Sequence, residues 1–243
     1  MHEPVVLSWN LFHGRAEPAA GRPLLHEFAT ALAGWRWDVA LLQEVPPWWP
    51  PLLACAARAD WRAARTSRTL CLPLRRAIAS RRPDLLKSNG GGANAILVRG
   101  GATIVEHRAR RLRWRPERRV VHAVRLAAPA GDPRDGAWIG NVHGQLGSWE
   151  DAAGRARPTA DLVAALDALR SWSGDRGRLL LGGDLNLPAS AVAAALPSGW
   201  ATLASQGPDH LVARGLGAAG RPVRPDRGTL SDHAPIGVAV QTA

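Results

Sequence analysis

The apolar run Leu179-Leu180-Leu181-Gly182-Gly183 stops on Asp184, with Asn186 two residues further. Side chains alternate along an extended segment, so residues two apart face the same way, and a carboxylate and an amide can address one small ligand. Read alone, the pair fits an Asp/Asn turn after a core strand equally well. Other apolar runs meet polar residues in the same manner. Residues 5–9 lead to Asn10, 39–43 to Glu44 and 138–142 to His143, and Ser231-Asp232-His233 precedes the apolar stretch 236–240. One such ending is ordinary, because polar residues favour strand ends. A set carrying Asn, Glu, His, Asp and Asp-His describes a site.

The chemistry of that set is oxygen-based. Glu44, Asp184 and Asp232 supply hard anionic oxygens, and Asn10 and Asn186 supply amide oxygens. Such donors suit magnesium or manganese, whereas zinc favours sulfur and imidazole. Magnesium is commonly held by one or two carboxylates while it keeps waters and phosphate oxygens, so Glu44 as principal ligand with Asn10 and Asp232 nearby suffices.

These residues must be positioned by strands. Three aliphatic residues in a row at 179–181 suit a strand covered on both faces, and the two glycines predict a sharp turn where the run ends. Further strands are predicted near 5–9, 39–43, 95–98, 103–106, 120–126, 137–142, 209–212 and 236–240. Leu162, Val163, Leu166 and Leu169 recur at helical spacing, which predicts a helix over 159–170 with Pro158 before it and Gly174 beyond its end. Residues 24–32 and 48–58 read as further helices. Segments 127–136 and 215–228, rich in glycine, proline and charge, read as loops. Mixed elements indicate α/β or α+β, and composition does not give the topology.

A length of 243 residues suits one α/β domain over 1–243. No basic start leads into a long apolar segment, so neither a signal peptide nor a membrane span is expected. Cys55 and Cys71 exclude a disulfide-dense scaffold and suit a reducing cytoplasm, with free, packed thiols as the expectation. The net charge is +11, and Lys87 is the only lysine. Arginine binds phosphate through its planar fork, yet abundant alanine, glycine and proline also fit coding bias in a GC-rich genome. The densest basic stretch runs from Arg108 to Arg125, where arginine alternates with Leu112 and Trp114. A solvated strand face accounts for it; a polyanion groove with stacking on Trp114 is the alternative.

Seven stretches in order resemble the endonuclease/exonuclease/phosphatase superfamily: Trp9-Asn10-Leu11, Gln43-Glu44, Gly92-Ala93-Asn94-Ala95-Ile96-Leu97, Asn141-Val142-His143, Gly183-Asp184-Leu185-Asn186, Asp209-His210-Leu211 and Ser231-Asp232-His233-Ala234-Pro235. The resemblance implies a deoxyribonuclease-like, four-layer sandwich of two mixed β-sheets packed face to face with helices outside, and a site at one end of the sheets. It places Glu44 on the metal, Asp184 on the attacking water with Asn186 beside it, and His143 and His233 on phosphoryl oxygens, with Asp209 pairing with His233. AP endonucleases of this family carry a tyrosine near the position of His143, and this chain has none, which argues against AP-site repair. The expectation is a phosphoesterase of nucleic acid, DNA or RNA, acting as a monomer. A phospholipid or small phosphate ester is the first alternative and an inactive nucleic-acid-binding member the second. His13 and His122 have no evident partners, and His210 is expected to point away from the site.

Overall fold

The computed structural model describes residues 3–66, 71–86, 92–128, 135–174 and 177–243. One six-stranded sheet contains β1 (Val5–Asn10), β2 (Val39–Val45), β3 (Asp60–Arg65), β4 (Ala93–Val98), β11 (Leu216–Ala218) and β12 (Ile236–Thr242), in the order β11-β12-β1-β2-β4-β3. The other contains β5 (Thr103–Arg113), β6 (Arg119–Ala127), β7 (Trp138–His143), β8 (Leu179–Asp184), β9 (Trp200–Gln206) and β10 (Asp209–Arg214), in the order β5-β6-β7-β8-β10-β9. Both are mixed: β1 pairs parallel with β2 and β7 with β8, while the remaining pairs are antiparallel. Helices α1 (Leu25–Gly34) and α2 (Pro50–Ala57) cover the first sheet, and α4 (Ala152–Ser173) and α5 (Ala189–Ala195) cover the second; α3 (Leu72–Ala79) lies beyond β3 in sequence. The result is the expected four-layer sandwich of two packed sheets flanked by helices.

Alternation along each strand assigns every residue to a layer. On β1, Val5, Leu7 and Trp9 join Phe28, Leu32 and Leu53 in the outer core, whereas Val6 joins Leu41, Ile96, Ile139, Leu180 and Val238 between the sheets. On β8, Leu179 and Leu181 face Leu162, Leu166 and Leu169 of α4, and Leu180 faces the first sheet. Continuing the period of two puts Ser8 and Asn10, Gln43, Asn141 and His143, and Asp184 into the inter-sheet layer. That layer is therefore apolar at one end and polar at the other.

The glycines of β8 serve packing and not the predicted turn. The strand runs through both to Asp184. A Cβ on Gly182 would sit 2.4 Å from Leu211 Cδ2 and 2.6 Å from Leu41 Cδ1, which approaches from the opposite sheet. At Gly183, with φ of 142°, a Cβ would fall 1.8 Å from the Val142 carbonyl oxygen of the neighbouring strand. The sharp turn comes later, at Asn186, with φ of 53°.

Other expectations need adjustment. Helix α4 begins before Pro158, capped by Asp151 accepting from the Gly154 N–H at 2.6 Å; Pro158 is buried inside it, and Val163 is 39% exposed. Strands β3, β9 and β11 were not expected, and β11 lies inside the predicted loop 215–228. Residues 129–134 of the predicted loop 127–136, and Lys87, lie outside the described residues. Cys55 and Cys71 are free but exposed: α2 turns Leu53, Ala54 and Ala57 inward instead of Cys55, and Cys71 is the N-cap residue of the exposed helix α3. Among the described residues no helix is long and apolar enough to cross a membrane.

Gly183→Ala must combine a strained backbone with a backbone overlap, each worth about 1–3 kcal/mol. The expected outcome is a loss of about 3 kcal/mol or more in denaturant unfolding, and a loss below about 1 kcal/mol would show that β8 can shift freely against β7.

Candidate active site

Asp184 is the centre of the polar end. Its Oδ2 accepts a hydrogen bond from Asn10 Nδ2 at 3.0 Å, across the gap between sheets, and its Oδ1 accepts from the Asn186 backbone N–H at 3.0 Å. His143 Nε2 lies 3.4 Å and His233 Nε2 3.8 Å from the same Oδ2. Asp209 pairs with Asp184 in the β10–β8 register, and its Oδ2 accepts from His233 Nδ1 at 2.7 Å. The structure thus brings Asn10, His143, Asp184, Asn186, Asp209 and His233 together.

Glu44 arrives by a different route. Strict alternation would send it outward beside Leu42 and turn Val45 inward, but its φ of 50° and a register shift between Leu42 and Val45 re-aim both, leaving Val45 in the outer core. Its Oε1 lies 3.9 Å from His143 Nδ1, and its Oε2 lies 2.9 Å from His13 Nε2. His13 is therefore a site residue. No sequence spacing could reveal it, because Phe12 and His13 both occupy left-handed backbone in the turn after β1, with φ of 47° and 54°. Asp232 is more peripheral: its side chain is 40% exposed and its Oδ1 lies 4.0 Å from His233 Nε2.

Supporting contacts hold these groups. Ser231 Oγ donates to the Asn10 carbonyl at 2.7 Å and accepts from the His233 N–H at 3.0 Å, and Trp9 Nε1 donates to the His233 carbonyl at 3.1 Å. Asn10 Oδ1 accepts from the Phe12 N–H, so both ends of that amide are engaged. Asn186 Nδ2 donates to the Gly144 carbonyl at 3.1 Å. Deeper between the sheets, Gln43 Nε2 donates to Asn141 Oδ1 at 2.9 Å, and Asn141 Nδ2 donates to the Leu42 and Ala95 carbonyls. Asn94 lies buried in β4, donating to the Val120 carbonyl. His210 points away, bonded to Ser205 Oγ and the Leu187 carbonyl, and His122 is buried against His107 on β5.

Burial and charge set the protonation states. Burial lifts Asp184 to about 7, helped by the charge of Asp209 and opposed by His233 and Asn10. Burial alone would depress His233, but the hydrogen bond and charge of Asp209, with the charges of Asp184 and Asp232, outweigh it and raise the imidazole to about 9. His143 is held well below 6.5 by burial and by the charge of Arg119. Burial would raise Glu44, yet the bond and charge of His13 and the nearby imidazoles hold it below the usual carboxylate range. At neutral pH the site therefore presents an ionised Glu44, a cationic His233, a neutral His143 and an Asp184 raised toward neutrality.

Among the described residues no group of three or more His, Cys, Asp or Glu side chains is gathered as a metal cage. A hard cation held largely by water and phosphate oxygens needs none, and the ionised, partly exposed Glu44 carboxylate fits such an ion.

The Endonuclease/Exonuclease/phosphatase family model matches residues 7–233. No curated protein matches the sequence. An endonuclease/exonuclease/phosphatase structure from Beutenbergia cavernae DSM 12333 is similar, with TM-score 0.71 at 18% identity over 100% of this chain and 72% of that one. A humanized D. rerio TDP2 aligns with TM-score 0.69 at 14% identity over 99% of each chain. TDP2 from Caenorhabditis elegans aligns with TM-score 0.67 at 17% identity over 100% of this chain and 75% of that one. At these identities the likeness concerns the fold.

The Asp209–His233 pair has a signed consequence for stability. The folded imidazole is raised from 6.5 to about 9, so its stabilising contribution is complete below pH 6.5 and is lost as pH climbs through about 9. Asp184, raised from 3.8 to about 7, slopes the same way at lower pH, while His143 opposes it only below 6.5. In chelator, denaturant midpoints are expected to fall between pH 7 and about pH 9.5, and Asp209→Asn should flatten that fall. A flat wild-type profile removes the imidazolium from the site.

Proposed function

Because the chain belongs to the endonuclease/exonuclease/phosphatase family, we propose that it is a divalent-metal-dependent phosphoesterase whose leading substrate is a nucleic-acid phosphodiester. Members of the family are hydrolases of phosphoester bonds and generally use divalent metals. The observation that carries the reading is the convergence of Asn10, His143 and the Asp209-bonded His233 from both sheets, each with a nitrogen within 3.8 Å of the Asp184 carboxylate.

Glu44, with Asn10 and Asp232 nearby, would hold magnesium or manganese, whose charge withdraws electrons from a phosphoryl oxygen and offsets developing negative charge. Asp184 orients the attacking water and accepts its proton. A base works best with a pKa near the working pH, and Asp184 sits at about 7. His233, raised to about 9, is already protonated at neutral pH. It is therefore unsuited as the base and suited to donate to a phosphoryl oxygen, while Asp209 fixes its ring and tautomer. Neutral His143 donates one further hydrogen bond. Asn186 holds Asp184 through its backbone N–H and faces the substrate beside it. Water attacks phosphorus in line, and no covalent enzyme intermediate is required.

Nucleic acid is favoured over smaller esters by the charge of +11 and by the β5–β6 hairpin. Strand β5 is a sheet edge, and its arginine-rich face is exposed, as a solvated strand predicts. At its end Trp114 is 62% exposed, with the Arg111 guanidinium 4.0 Å and that of Arg118 5.7 Å from its ring. The next residue, Arg119, is buried and acts electrostatically on His143, so this hairpin adjoins the site. An exposed indole flanked by guanidinium groups suits stacking of an unpaired base with its phosphates neutralised.

Hydrolysis of a generic phosphodiester should require magnesium, stop in chelator, and fall by roughly 10²–10⁴ in kcat with Asp184→Asn. Turnover that survives chelation, or an Asp184→Asn rate within about threefold of wild type, contradicts the mechanism. Single-stranded oligonucleotide binding should weaken steeply with salt, and Trp114→Ala should cost about 1–3 kcal/mol of affinity. A flat salt response with good turnover of small phosphate esters would shift the substrate to that class.

A further inference from the structure

A cavity of about 200 Å³ opens beside the site, lined by His13, Leu25, Trp48 and Trp49 together with Arg76 of α3 and Ser80, which follows that helix. His13 belongs to both places, since its Nε2 contacts Glu44 while its ring helps wall the cavity. The cavity is built by the fold. Gly14, with φ of 77°, lies against the Trp49 ring so closely that a Cβ there would fall 2.2 Å from Cη2. Trp49 is further fixed by Phe28, ring centroids 5.5 Å apart. Trp48 is half-buried and Leu52 is 43% exposed at the mouth.

We propose that this cavity is a specificity subsite for a flat aromatic group carried by the phosphoester, a nucleobase or an aryl ring. The inference rests on the phosphoesterase reading of the adjoining centre. Its volume is below the roughly 300–1,000 Å³ that drug-sized ligands occupy, which suits one ring system and not a whole ligand. Indole walls favour a ring through offset or edge contacts beyond what apolar area alone supplies. The Arg76 guanidinium adds a face that stacks on rings and a charge complementary to a second phosphate. Substrate bound with its phosphorus at Asp184 would direct one substituent past His13, and the aromatic lining begins there.

Calorimetric titration in magnesium with two probe pairs tests this without turnover: phenylphosphonate against methylphosphonate, and adenosine 5′-monophosphate against ribose 5-phosphate. At least one ring-bearing probe is expected to bind about tenfold or more tightly than its ringless partner, and the pair that shows the preference identifies the source. Trp48→Ala should collapse that ratio to within about twofold. Leu52→Trp, which fills the mouth from an exposed position, should do the same and guards against misfolding of the first variant. Equal affinities within both pairs, or a preference that survives both substitutions, overturns the subsite while leaving the phosphoesterase reading intact. Failure of every probe to bind overturns both.

Discussion

The hydrogen bond from Asn10 to Asp184 joins the last inward position of β1 to the last of β8, at 3.0 Å across the two sheets. Everything chemical depends on that approach. Sheets packed through Val6, Leu41, Ile96, Ile139 and Leu180 fix the spacing, and the glycine at 182 lets Leu41 and Leu211 close over β8. Between the apolar layer and the charged end lies a neutral polar layer, in which Gln43 and Asn141 tie β2, β4 and β7 together. Such a buried network specifies one arrangement of the sheets only when its members find partners, and most do here. Hence the carboxylates at the end are positioned by the core itself and not by mobile loops.

Two acids, Asp184 and Asp209, then stand directly opposite each other on neighbouring strands in a buried layer. Like charges in that position repel, and burial disfavours both carboxylates. The imidazole of His233 offsets this. It is brought by the segment before β12, anchored by Ser231 and Trp9, and bonded to Asp209. Burial raises both acids, but Asp209 accepts a hydrogen bond from the imidazolium while Asp184 is lifted to about 7. Burial first, and the charge of Asp209 second, thus hold Asp184 at the proton affinity that the proposed base would need.

Much of this was legible in the sequence because the central strands are buried on both faces and end abruptly. Apolar runs at 5–10, 39–45, 138–143 and 179–184 carry little ambiguity, and their terminal polar residues stood out by contrast. Edge strands gave less signal. Strand β3, with the residues Asp-Trp-Arg-Ala-Ala-Arg, is mostly exposed, and β11 is only three residues long, so neither has the apolar content that marks a strand. The glycines of β8 misled because glycine signals a turn as readily as a close approach, and only the neighbour's position distinguishes the two. His13 was illegible for a further reason: non-glycine residues at positive φ are uncommon, and no local pattern announces them.

The same division separates what is shared from what distinguishes this chain. Structures 14–18% identical superpose over nearly its whole length, which is possible because the inter-sheet layer demands only apolar volume and a few polar ends. The groups that would select a substrate lie elsewhere. Trp114 and its arginines sit on the β5–β6 hairpin at a sheet edge, and Trp48, Trp49 and Arg76 sit on the outer helices and the segment leading into them. Trp114 and Trp48 stand outside the layer that spaces Asp184 and Asn10, whereas Trp49 packs on Phe28 in the outer core. On the proposed reading, reaction chemistry is tied to the core, and substrate choice to two aromatic, arginine-bearing walls beside it. Those walls are independent of each other, since one extends the second sheet and the other covers the first.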